Sequence, residues 1–361
     1  MLALKKIPRK WEDIKFQDHV VASLTGAISK KEYPHVILLK GPSGVGKTTI
    51  AKVYASYLMC SSPEGPNPCG KCSNCQAIFN SSNMPNLFYV NGREEGGVSF
   101  YREFIVGLQN KASIFGNTKI AIIDEAHGLS TEALEVLLTP LENPSNSHLY
   151  VILCTTEGLK IPKSLQSRSL TFVVNRPDDN DLAQYLLKII KDEGWSVPAE
   201  FVDGLLQIID GTEGNVRECL NILWNLYLSN SFTEEAVRKN LILSGNIWTS
   251  EIVKKLFNNG FKTVLMDIEK VLENSSTEEF FTKLFNEVFN LYRYKCLGIS
   301  LKNSYYEKQM ATNYGRVPIL KIKTLVDSLI EVRKMCGFAI DKNIMFYYLT
   351  KELSNGISSQ S

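Results

Sequence analysis

The apolar run Val36-Ile-Leu-Leu39 leads into Gly41-Pro42-Ser43-Gly44-Val45-Gly46-Lys47-Thr48, and a stretch with helical spacing follows from Thr49 to Leu58. This segment constrains the fold more than any other. The apolar run reads as a buried parallel strand. Its glycines let consecutive backbone N–H groups turn inward, and the helix that follows adds the positive end of its dipole. Such a strand-loop-helix is a P-loop, shaped for the β- and γ-phosphates of a nucleoside triphosphate. The predicted nucleotide contacts run from Gly41 through Thr49. Lys47 reaches phosphate oxygens, and the Thr48 hydroxyl is a ligand for Mg²⁺.

Further strand-like runs are Asn86–Val90, Ile120–Ile123 and Leu149–Leu153, separated by helical stretches such as Thr131 to Leu141. Strands alternating with helices predict an α/β domain with a parallel sheet. Ile120-Ala-Ile-Ile-Asp124-Glu125-Ala-His127 places two carboxylates at the end of one such strand. Taken alone, this is also what a solvated strand end looks like. Downstream of a P-loop it reads as the second nucleotide motif, with Asp124 holding the Mg²⁺ water shell and Glu125 acting as general base on the attacking water. His127 is read as a turn residue with no catalytic role.

The eight cysteines are unevenly placed. Cys60, Cys69, Cys72 and Cys75 crowd one segment, 60–75, while Cys154, Cys219, Cys296 and Cys336 stand singly and read as small core residues. Clustered cysteines without an export signal point to a metal site in a reducing compartment. The Pro- and Gly-rich stretch between Cys60 and Cys69 breaks the helix and lets the chain loop back. Four thiolates suit tetrahedral Zn²⁺ and leave no open position, so the site is expected to be structural; an Fe–S cluster is the competing ligand set.

Near Pro177 the pattern changes. Only helical periodicity remains from Asp178 to about Leu243, broken at Gly194, Pro198, Gly211 and Gly214. A third, also helical, region runs from Gly245 to about Leu353. The predicted domains are 1–177, 178–243 and 244–361. In these 361 residues, 40 Lys and Arg face 38 Asp and Glu, a formal charge of +2, so nucleic-acid contact must come from local basic clustering. No apolar run approaches the roughly 18 residues of a membrane span, and Met1–Lys10 has no signal-peptide core, so membrane and secreted proteins are excluded.

P-loop, four-Cys insertion and Asp-Glu-Ala-His together resemble the bacterial DNA polymerase III gamma/tau family of AAA+ clamp-loader ATPases. Pro8-x-x-Trp11-x-Asp13-Ile14-x-x-Gln17 resembles that family's N-terminal box, which borders the adenine. The resemblance makes Thr155-Thr156 the sensor 1 pair, with Thr156 among the catalytic residues, and makes Arg168 of Ser167-Arg168-Ser169 an arginine finger acting in trans. It also makes Arg217 of Glu213-Gly-Asn-Val-Arg217 the sensor 2 arginine, reaching the phosphates from a helical lid. The final helical region is similar to the family's all-α oligomerising collar.

The resemblance implies ATP, Mg²⁺ and Zn²⁺ as cofactors, with other clamp-loader subunits in a pentamer-like ring, a sliding clamp and primer–template DNA as partners. It places the activity in the cytoplasm at the nucleoid, away from membranes. Arg93, Arg102 and Lys111 are predicted DNA contacts. The sequence departs from the family at Lys5-Lys6-Ile7-Pro8, where Lys-Tyr-Arg-Pro is usual, at Phe16, where glycine precedes the glutamine, and over Val90–Gly97. Extensions beyond the collar are not expected. The alternatives are a delta-prime-like structural subunit without ATPase activity, another AAA+ DNA remodeller such as a branch-migration motor, and a zinc-dependent nucleic-acid binder that merely carries a P-loop. Intact Lys47, Thr48, Asp124 and Glu125 disfavour the first.

Overall fold

The computed structural model describes residues 2–82, 86–93, 118–136, 148–198, 201–243, 249–258, 261–272, 276–298, 310–312, 314–336 and 340–355. They fall into two compact units, Met1–Pro177 with Asn215–Arg217, and Asp178–Gly214 with Glu218–Ser361.

The first unit is built on five parallel strands, β1 (Val36–Lys40), β2 (Leu87–Asn91), β3 (Lys119–Asp124), β4 (Leu149–Thr155) and β5 (Leu170–Val173), in spatial order β2-β3-β4-β1-β5. Side chains alternate between the faces of a strand, and here both faces are covered, so the central strands are apolar throughout. Ile37 and Leu39 of β1, Ile120 and Ile122 of β3 and Ile152 of β4 pack on one side with helices α2 (Asp18–Lys30) and α3 (Lys47–Met59). Val36, Leu38, Ala121, Ile123, Val151 and Leu153 pack on the other with Leu129, Leu134, Ile161 and Leu165. α2 buries Val20, Leu24 and Ile28, one residue per turn, and stops where Lys31 turns left-handed at φ 59°. This is the α/β P-loop sheet that the AAA+ resemblance implies.

The register puts the functional residues on one edge. Lys40 pairs with Thr155, and Asn91 with Asp124, so β1, β2, β3 and β4 all end together. Ligands of open parallel sheets bind outside these carboxyl ends. The stretch anticipated as helical from Thr131 to Leu141 is helix over Thr131–Val136, and its remainder lies outside the described residues.

Among its described residues the second unit has helices and no strand. Its helices from Thr249 to Asn355 share a core of Ile252, Leu256, Phe280, Leu284, Val288, Leu291, Ile322, Leu329 and Met345 among others. Ser276 caps Thr277–Leu297 through the Glu279 N–H, and Gly298 closes it left-handed at φ 67°. The helix Val202–Gly211 ends at Gly211, where the sequence reading expected a break, and a Cβ there would lie 2.7 Å from Leu241 Cδ2. Cys154 and Cys219 are buried as expected. Cys296 is not a core residue: it is exposed, the last residue but one of the helix Thr277–Leu297. Among the described residues no helix is long and apolar enough to cross a membrane.

Candidate functional site

The loop between β1 and α3 is anchored by the strands around it. Gly41 N–H donates to Thr155 O (3.2 Å), and a Cβ on Gly41 would lie 2.0 Å from Val174 O. The close approach of β5 therefore requires glycine. Gly46, at φ 103°, turns the chain into α3. Lys47 is buried at 6% exposure, and its ammonium donates to Gly41 O (2.8 Å) and to Pro42 O. Burial lowers its pKa, against the opposing charges of Cys154, Glu125 and Asp124.

Asp124 ends β3 directly opposite. Its Oδ2 accepts from Thr48 Oγ1 (2.8 Å) and from Tyr89 OH (2.9 Å), and its Oδ1 from the Glu125 N–H (3.0 Å). The structure thus brings together Lys47, Thr48, Asp124 and Glu125, the four residues on which the nucleotide reading rests. The Thr48 hydroxyl against a carboxylate is an all-oxygen donor set of the kind Mg²⁺ takes.

Glu125 adopts φ 51°, a left-handed conformation costly for a residue with a long side chain. Gly128 N–H holds its carbonyl at 2.8 Å. Its carboxylate lies 3.3 Å from both the Arg93 guanidinium and His127 Nε2. His127 is the hub of a polar cluster that sequence reading missed. It is buried at 7% exposure, with Nδ1 3.2 Å from Thr155 Oγ1 and Nε2 3.4 Å from Glu157 Oε1. The outward-facing Lys160 pairs with Glu157 (3.0 Å), and this holds the Glu157 carboxyl below its usual range. Of the anticipated sensor pair, Thr155 is fully buried and engaged in this cluster, and half-buried Thr156 is the first residue beyond β4.

Arg168 is exposed at the end of the short helix Lys163–Ser167, where it donates to Ser164 O (3.1 Å). Asn215–Arg217 groups with the first unit, and the Arg217 charge acts against Lys47 and Lys52. Arg102 and Lys111 lie outside the described residues.

The N-terminal box is held mainly by side-chain bonds. Buried Gln17 pairs its amide with both backbone groups of Asn175 (2.7 and 3.2 Å). Phe16 takes φ 67°, which accounts for glycine being usual at this position in the resembled family. Trp11 is buried; its N–H donates to Asn67 Oδ1 and its indole Nε1–H to Pro66 O, both at 2.9 Å.

Asn67 and Pro66 belong to the four-Cys insertion, which starts at the C-terminal end of α3. The sulfurs of Cys60, Cys69, Cys72 and Cys75 all lie within 4.8 Å of one another. A tetrahedral zinc–thiolate site needs sulfurs about 3.8 Å apart, so this cluster fits the ion. Cys69 Sγ accepts from the N–H groups of Lys71 (3.5 Å) and Cys72 (3.4 Å), which lower its pKa. Burial raises the Cys72 pKa, but the N–H groups of Cys75 and Ser61 outweigh it and bring the thiol to about 6. Donors that favour thiolate also favour a metal. All four cysteines are free of disulfides.

Comparison with known proteins shows what the chain is similar to. A family model described as "DNA polymerase III, delta subunit" matches residues 16–178. The chain is 31% identical over 222 residues to DNA polymerase III subunit tau/gamma of Haemophilus influenzae, covering 62% of this chain and 31% of that protein. It is 28% identical over 317 residues to DNA polymerase III subunit gamma of Buchnera aphidicola subsp. Baizongia pistaciae, covering 86% of this chain and 83% of that one. The chain thus spans less than a third of the Haemophilus relative. Among solved structures, the Thermotoga maritima RuvB Holliday junction branch migration motor aligns with 73% of this chain and 85% of its own at 15% identity, with a TM-score of 0.47. The chain is thus similar to the gamma and tau subunits of DNA polymerase III.

Proposed function

We propose that the chain is an ATP-hydrolysing subunit of a sliding-clamp loader, acting in the cytoplasm at replicating DNA. The observation that carries this reading is the Thr48 hydroxyl 2.8 Å from the Asp124 carboxylate, with Lys47 behind it and Glu125 beside it. The roles follow from the chemistry of the groups. Backbone N–H groups of residues 41–48 and the Lys47 ammonium bind the triphosphate. Thr48, and Asp124 through water, would hold Mg²⁺, which would supply positive charge against the phosphates. Glu125 accepts the proton of the attacking water once its carboxylate leaves Arg93 and His127. Thr156 and Arg217 contact the phosphates from the same subunit.

Arg168, exposed at the module's surface, serves the nucleotide of a neighbouring subunit. Residues 1–177 form the nucleotide-binding domain, 178–243 the lid and 244–361 the collar through which several subunits assemble, in a pentamer. ATP binding orders this ring to open the clamp and to grip primer–template DNA, chiefly through phosphates, so the grip is salt-dependent and sequence-blind. Arg93, 61% exposed at its side chain while touching Glu125, is well placed to exchange that carboxylate for a phosphate.

The delta-type family match favours a second reading, a structural subunit that binds without turning over. Hydrolysis measured with and without sliding clamp and primed DNA separates the two. Stimulated turnover that Glu125→Gln stops while ATP binding persists supports the motor reading; a wild-type chain that assembles but never hydrolyses supports the structural one. The finger is tested by mixing. A Lys47→Ala chain, keeping Arg168, is expected to restore hydrolysis at the site of an Arg168→Ala neighbour, an effect on the order of 10³–10⁵ in rate in comparable systems. Co-assembly without recovery overturns the assignment in trans.

A further inference from the structure

We infer that Tyr89 is a positioning residue for the metal-binding carboxylate, setting how strongly the nucleotide site holds a divalent cation. The inference rests on the ATP-site reading above. It comes from β2, a strand to which the sequence motifs assign nothing. Tyr89 is opposite Ile122, and Asn91 is opposite Asp124, so Tyr89 and Asp124 occupy the same face of the sheet as diagonal neighbours. A phenol is long enough to close that diagonal. Its hydroxyl donates to Asp124 Oδ2 at 2.9 Å, the same oxygen that accepts from Thr48 at 2.8 Å. With the Glu125 N–H on Oδ1, three donors arriving from β2, α3 and the following turn fix the carboxylate in one orientation.

The tyrosine is itself held. Lys52, one helical turn beyond Thr48, sits with its ammonium 5.4 Å from the ring centroid, and donates to Ser81 Oγ (2.7 Å) and Phe79 O (3.3 Å). The ring packs against the α3-side core. Burial, with the Asp124 charge added, pushes the phenol well above its ordinary pKa, so it remains a donor at neutral pH. Hydrogen bonds to a metal-binding carboxylate set its orientation, and their loss costs about 10–100-fold in metal affinity. Lys52 and Tyr89 thus support the cation site from behind.

The test is Tyr89→Phe in the full chain, which keeps the ring and its packing and removes only the donor. Binding of a fluorescent ATP analogue is followed in EDTA and across a Mg²⁺ titration. The expected result is unchanged affinity in EDTA, an unchanged melting temperature, and a Mg²⁺ midpoint raised about 10-fold. A midpoint equal to wild type overturns the inference. A second arm guards against a general loosening: in the Asp124→Asn background, Tyr89→Phe should shift the midpoint no further, and an additive shift shows that the tyrosine acts elsewhere and overturns it too. A wild-type chain that binds no nucleotide with Mg²⁺ present defeats the ATP-site reading itself. Mg²⁺-dependent binding with an unaltered Tyr89→Phe variant defeats only the role of Tyr89.

Discussion

Helix α3 carries a loop at each end, and the two are held by opposite means. At Lys47 the P-loop rests on the sheet: Gly41 N–H bonds Thr155 O, Val174 N–H bonds Lys40 O (2.7 Å), and β1 is buried from Val36 to Leu39. At Cys60 the chain leaves the core for an insertion that, up to Cys72, has only the Glu64–Asn67 bridge as regular pairing. Its fixed points include the four sulfurs, the hydrogen bonds to Trp11, and the bonds Lys10–Glu64 and Gln76–Gly70. A loop with a sheet under it can dedicate its side chains to a ligand. A loop with no core must dedicate its side chains to itself, and metal is the compact way to do so.

The comparison predicts that changes at the two ends separate chemistry from stability. Lys47→Ala is expected to have the largest effect, lowering ATP turnover by at least about 10²–10³, because the proposed function makes this buried cation a phosphate ligand. The strands hold the loop, so thermal unfolding should move only slightly. A collapse in melting temperature comparable to the loss of activity breaks the contrast, since the loop would then depend on its lysine for shape.

At the other end, Cys72→Ser should do the reverse. Metal content falls from about one zinc per chain, and stability drops by about 2–3 kcal/mol as the 60–75 segment loosens. ATP binding should survive with the sheet intact. Metal analysis of the wild-type chain also decides the ion, since iron with visible absorption would replace zinc by a cluster. Cys154→Ser, Cys219→Ser and Cys296→Ser should leave the metal in place.

How much of this was legible in the sequence follows the same division. Strands β1, β3 and β4, the P-loop and the Asp-Glu pair could be read because a buried parallel strand is uniformly apolar and its loop chemistry is local. The thiol cluster could be read because its spacing is short. The bonds that cross between segments could not. Nothing in the order of residues says that Trp11 docks on Asn67, 56 positions away, or that Tyr89 reaches Asp124 on the neighbouring strand. His127 was read as a turn residue because a lone histidine after a strand carries no period; its burial against Thr155 appears only when β3 and β4 are side by side. Cys296 was misassigned because helical spacing alone does not say which face near a helix end is covered. Phe16 is the converse case: the missing glycine was visible, and its left-handed backbone gives the reason for the usual residue.

The smallest expected effect lies in the struts between the insertion and the N-terminal box. Asn67→Ala removes the acceptor of the Trp11 backbone N–H, and Trp11 is only 3% exposed, so the donor is left buried without its partner. Such a group costs about 1–3 kcal/mol. The thiolates are untouched, so metal content should stay at the wild-type value. Trp11→Phe should cost less at the hydrogen bond itself, about 1 kcal/mol, because it removes the indole donor and leaves only the Pro66 carbonyl behind. Denaturant unfolding of both variants, with metal measured in parallel, checks the order. If Asn67→Ala destabilises as much as Cys72→Ser while zinc remains bound, the hydrogen bonds to Trp11 hold the insertion more than its sulfurs do. The contrast between the two ends of α3 would then be one of hydrogen bonding, with the metal a local addition.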